Sequence, residues 1–128
     1  MKRLLIITSI IELPTGLGLI AVPSVVAHLL LNSEISGAAI PLGRVAGVAL
    51  LALGVVSWLA SYDEQSCAAR GLVSAMLLYN IGAALILALA GIGSGFVGIV
   101  LWPAVILHTV MAVWCVARLR RSPINVID

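Results

Sequence analysis

Residues 10–20 read IIELPTGLGLI, and they place a carboxylate, a proline and two glycines inside an otherwise continuous apolar run. Counted from the first apolar residue, Leu4, Glu12 falls about 12 Å along a helix that rises 1.5 Å per residue. A hydrocarbon layer is about 30 Å thick, so Glu12 is expected near its middle. An ionisable group there costs on the order of 2.5 kcal/mol or more and has to face a bundle interior or a cavity. The rest of the chain is read as the housing of that residue.

The 128 residues are 62% hydrophobic and only 9% charged, with a mean hydropathy of +1.24. Soluble domains are about 45 to 50% apolar, so this chain is expected to be an integral membrane protein. Its apolar runs lack the alternation of barrel strands, which leaves helices as the spanning solution. The expected fold is an all-α membrane four-helix bundle in one domain, 1–121, followed by a short cytoplasmic tail, 122–128. Spans are expected at about 4–22, 42–60, 71–90 and 99–119, the first uncleaved. Pro14 should kink it and Pro23 should end it. SVVAHLLLN, 24–32, is too short to span and is read as an interfacial or re-entrant helix.

Lys2, Arg3, Arg70, Arg118, Arg120 and Arg121 fall on one side of a four-span layout, with only Arg44 toward the other. Basic residues near span ends mark the cytoplasmic face, so both termini are expected there, in a multi-pass protein of the cell inner membrane. Trp58, Tyr62 and Trp114 then lie near the inner interface, and Phe96 and Trp102 near the outer one. The arginines at the carboxyl end suit anionic lipid. A net charge of +2 gives no argument for nucleic acid.

Three spans bring polar groups to one depth: Glu12, then Asn80 beside Tyr79, then His108. Arg44 enters about 10 Å higher and has the length to reach down toward them or out to headgroups. Glu12, Asn80, His108, Arg44 and Tyr79 are therefore the candidate site for a proton, a cation or a small solute. The structural alternative is that these groups satisfy one another and hold the helices in register. His108 shares a face with Ala104, Ala112 and Cys115. It also admits a redox alternative, a haem or quinone site, although no cofactor is expected from the pattern as a whole. His28, the only other histidine, lies too far away in depth to complete a bis-histidine haem.

Gly43, Gly47 and Gly54 form a small-residue stripe that lets another helix approach closely. They are read as the packing face, and as the candidate contact in a homo-oligomer or larger membrane complex. Cys67 and Cys115 show no metal-binding spacing and are read as reduced thiols. No nucleophile with a base, paired carboxylates or phosphate loop is evident, so an enzyme is not the expected class; a non-catalytic accessory subunit is the alternative.

Residues 44–60, RVAGVALLALGVVSWLA, with the polar loop and 69–80, ARGLVSAMLLYN, resemble small four-helix bacterial inner-membrane proteins of DoxX-like layout. That resemblance implies a four-helix bundle. Four helices with a glutamate in the first also give the chain an architectural similarity to the small multidrug resistance transporters. There the first-helix glutamate is the shared proton and substrate site of an antiparallel dimer, which would map onto Glu12.

Overall fold

The chain's long apolar runs become five helices: α1 (Lys2–Ala21), α2 (Pro23–Leu31), α3 (Ala39–Ala60), α4 (Cys67–Gly93) and α5 (Leu101–Arg121). The structure, a computed structural model, describes residues 1–121; the expected tail, 122–128, lies outside them. The described residues contain no strand. Four of the helices, all but α2, are long and apolar enough to cross a membrane. At 1.5 Å per residue they run from about 30 to 40 Å, against a hydrocarbon layer of about 30 Å.

The spans differ from expectation mainly at their ends. The third span is longer than the expected 71–90 because Ser66 caps its start, its Oγ accepting from the Ala69 N–H at 3.1 Å. That bond satisfies one of the four orphan donors of a helix start. Pro14 sits inside α1 without ending it; its missing N–H leaves the Ile10 carbonyl without the usual partner. The break comes at Val22, and Pro23 opens α2, where a proline's absent donor costs nothing. Asn32 closes α2 in the left-handed region, φ 48°, a conformation asparagine tolerates.

The helices pack as two pairs. α1 lies chiefly against α3, and α4 against α5, while the consecutive α3 and α4 touch little. The α1/α3 contact is a crossing of bare backbone: a Cβ on Gly47 would stand 2.7 Å from the Gly16 carbonyl oxygen, and one on Gly16 would stand 2.7 Å from that of Gly47. Gly54 receives Leu13, and Gly43 approaches Pro23. The glycine stripe of α3 therefore faces α1 and the start of α2 of its own chain, the face expected to meet another copy. Close approach of backbones is the main packing device where lipid competes equally for apolar side chains.

The two pairs are joined at both ends. At the end carrying Lys2, Arg3, Arg70, Arg118, Arg120 and Arg121, a buried cluster of Leu4, Leu5, Val73, Met76, Met111 and Cys115 ties α1 to α4 and α5. There the Met1 amino group pairs with Glu64 in the α3–α4 loop, which also accepts from the Lys2 backbone N–H. Together they hold the exposed Glu64 carboxyl below the usual carboxylate range. At the opposite end α2 bridges the pairs. The Gly98 N–H donates to the Leu30 carbonyl at 3.0 Å and the Val100 N–H to the Leu29 carbonyl at 3.1 Å. These bonds use carbonyls that the end of α2 leaves unsatisfied. Gly98 has to be glycine, because a Cβ would overlap the Leu29 carbonyl.

Candidate functional site

Between the two helix pairs, in the half of the bundle away from the basic end, lies a partly open cavity of about 510 Å³. α3 and α4 touch little, and the buried cluster of Leu4, Leu5, Val73, Met76, Met111 and Cys115 lies in the basic half. The cavity's walls include Leu19, Leu50, Leu87 and Ala104, and Val26 and Leu30 of α2 with Val100 close the far end. Glu12, Tyr79 and His108, all at mid-helix, are among its lining residues nearest the basic end. A mostly apolar chamber thus carries three titratable side chains drawn from three helices, with Thr15 a further polar residue of its lining.

Glu12 reaches this position because residues 4, 5, 8, 9, 12 and 16 are the buried face of α1, a helical spacing. One turn beyond it, Gly16 fixes the crossing with α3. The residue is only 5% exposed and has no hydrogen bond or ion pair among the described residues. Buried carboxylates are ordinarily paired or hydrogen-bonded, so an unpartnered one that faces a cavity is available to something that enters it.

His108 is held differently. Its Nδ1 lies 2.8 Å from Asn80 Oδ1, and Asn80 Nδ2 donates to the Met76 carbonyl at 2.8 Å. The Met76 carbonyl can only accept, which orients the Asn80 amide and leaves its oxygen toward the histidine. Nδ1 is therefore the protonated nitrogen, and Nε2 is an acceptor without a partner among the described residues. The Tyr79 ring stands edge-on to the imidazole, centroids 5.5 Å apart at 86°, an arrangement aromatic rings favour. Asn80 itself is 3% exposed and stands behind His108, outside the cavity wall.

Of the five candidate residues, Glu12, Tyr79 and His108 are brought together on the cavity, and Asn80 acts on it through His108. Arg44 is not brought in: it is exposed in the second turn of α3, pairs with neither Glu12 nor Glu34, and does not line the cavity. Glu34 instead lies 3.9 Å from exposed His28. Ala112 and Cys115 share the buried face of His108, while Cys67 is exposed and both thiols are free. No group of three or more His, Cys, Asp or Glu side chains converges as a metal site among the described residues. For a cofactor, His108 is the one histidine on the cavity.

Sequence reasoning missed four residues in and around the site. Gly16 was visible as a glycine in α1, but its pairing with Gly47 depends on the relative rotation of two helices. The roof residues Val26 and Leu30 belong to a segment whose placement no periodicity fixes. Thr8, one turn from Glu12, is 2% exposed and its hydroxyl has no partner; its i, i+4 spacing to Glu12 was the available signal. No protein-family model, curated protein or solved structure matches the chain.

Proposed function

We propose that this is a multi-pass membrane protein that binds a small amphipathic solute from the lipid phase, with the solute's polar head on Glu12. The observation that carries the reading is a 5% exposed carboxyl, without a partner among the described residues, on the lining of a mostly apolar cavity of about 510 Å³. Ligand sites are characteristically concave and mostly apolar, with a few convergent polar groups that orient the ligand. An ionisable residue inside the hydrocarbon is a functional candidate in its own right, since a purely structural contact is cheaper to make with other residues.

The gathering of six basic side chains at one end supports both termini on the cytoplasmic side. The cavity then occupies the outer half of the membrane. Thr15, Ile86 and Leu107 on its rim are exposed, which favours entry sideways from lipid over entry from the cytoplasm.

A steric test separates binding in this cavity from adsorption to the apolar surface. The wild type and Ala104→Phe, which places a ring in the chamber, are reconstituted in lipid nanodiscs and titrated with radiolabelled 4-octylphenol. Empty nanodiscs supply the background. Saturable binding that Ala104→Phe abolishes, with helicity unchanged, is expected. Equal binding by both proteins would place the solute elsewhere.

A further inference from the structure

The polar end of the cavity is asymmetric in its hydrogen-bonding capacity, and that restricts what the head of a ligand can be. Met76, Asn80 and His108 form a chain with a fixed direction. The Met76 carbonyl accepts from Asn80 Nδ2, and Asn80 Oδ1 accepts from His108 Nδ1. A neutral imidazole has one donor and one acceptor, so Nε2, on the side of the ring away from Asn80, has only a lone pair to present. Tyr79 packs edge-on against the same ring and limits its rotation. Glu12 supplies carboxyl oxygens that no group among the described residues engages. A head that only accepts hydrogen bonds would leave Nε2 unsatisfied in an apolar chamber, at the cost of an unpaired buried polar group.

From this geometry we infer that the cavity takes an apolar molecule whose head donates a hydrogen bond to His108 Nε2 while engaging Glu12, with Asn80 as the positioning residue. Hydroxyl and ammonium heads share this chemistry. A hydroxyl donates to Nε2, and its oxygen accepts from Glu12 in the protonated carboxyl form. An ammonium donates to both. Ethers, ketones and carboxylate heads are disfavoured. The inference rests on the cavity-binding reading above and narrows it to a ligand class.

The test uses three probes with one apolar body: 4-octylphenol, its methyl ether 4-octylanisole, and 4-octylbenzylamine, each titrated against the full chain in nanodiscs. One neutral hydrogen bond is worth about fivefold in affinity. The phenol or the amine should therefore bind the wild type at least about fivefold tighter than the ether. In His108→Phe that ratio should fall to about one, and in Asn80→Ala it should shrink, since nothing then holds the proton on Nδ1. Whichever of phenol and amine is tighter identifies the head. Should a variant fail to fold, nitrogen-15 spectra of histidine-labelled wild type still decide: Nε2 of His108 should carry the non-protonated signature.

Equal affinity for ether, phenol and amine would overturn the inference while leaving the cavity reading intact. A protonated Nε2 in the neutral ring would overturn it as well. Binding of none of the three above empty nanodiscs would instead defeat the cavity reading on which it stands.

Discussion

Replacing Gly47 with alanine adds one methyl group where the structure has room for none. The new Cβ would lie 2.7 Å from the Gly16 carbonyl oxygen and 2.9 Å from the Ile20 backbone nitrogen, whereas ordinary contact begins at 3.4 Å. Both obstructing atoms are backbone, so α1 and α3 have to separate by roughly 0.7 Å, and overpacking of this kind costs about 1–3 kcal/mol. The control is Gly82→Ala in α4, where a Cβ meets nothing within 4 Å; alanine's better helix propensity makes it neutral or stabilising by up to about 1 kcal/mol. Unfolding in mixed micelles by added SDS, followed by far-UV circular dichroism, should show Gly47→Ala unfolding well before Gly82→Ala. Gly16→Ala strains the same contact, so the double variant should cost less than the sum of its parts. Coincident midpoints for Gly47→Ala and Gly82→Ala would refute the backbone crossing, and with it the positioning of Glu12 one turn away from it.

Three further outcomes follow from other contacts. Thr8→Val removes a buried hydroxyl that has no partner, so it should leave stability unchanged or raise it; a loss above about 1 kcal/mol in the same unfolding assay would mean that the hydroxyl is engaged. Gly98→Val drives a side chain into the Leu29 carbonyl and should release α2 from the α4–α5 loop. Limited proteolysis should then cut within or beside α2, and an unchanged digest would contradict that tie. Glu64 is held below the usual carboxylate range by the Met1 amino group and the Lys2 N–H. A lowered folded-state pKa stabilises above the unfolded value and is lost as pH falls through the folded one. The small difference between wild type and Glu64→Gln should therefore be present at neutral pH and vanish below the usual carboxylate range; a difference that grows on acidification would have the wrong sign.

The long apolar runs made the four spans legible, because hydropathy over about 20 residues is a property of the sequence alone. Depth could be read for the same reason: a fixed rise per residue places Glu12, Asn80 and His108 at one level without knowledge of packing. Rotation and lateral position could not. The short α2 could be recognised as too short to span, but its role as a bridge over the cavity depends on backbone bonds from Gly98 and Val100 to Leu30 and Leu29. Arg44 illustrates the limit in the other direction, since a long side chain at the right height still contributes nothing when its helix turns it outward. The glycine stripe was recognisable as a close-packing face, whereas its partner, α1 of the same chain, was set by the complementary Gly16. The void between the helix pairs had no local signature at all, because it arises from side chains that do not meet.

The claim that Glu12 is an open carboxyl in a lipid-accessible cavity is most directly tested by its reaction with dicyclohexylcarbodiimide, a carboxyl reagent that partitions into the bilayer. Protein in nanodiscs is treated with this reagent or with a water-soluble carbodiimide, and the modified residue is located by peptide mass spectrometry. The account predicts modification at Glu12 by the lipid-soluble reagent and not by the water-soluble one, with loss of the adduct in Ala104→Phe. An unmodified Glu12, or equal labelling when Ala104→Phe fills the chamber, would contradict it.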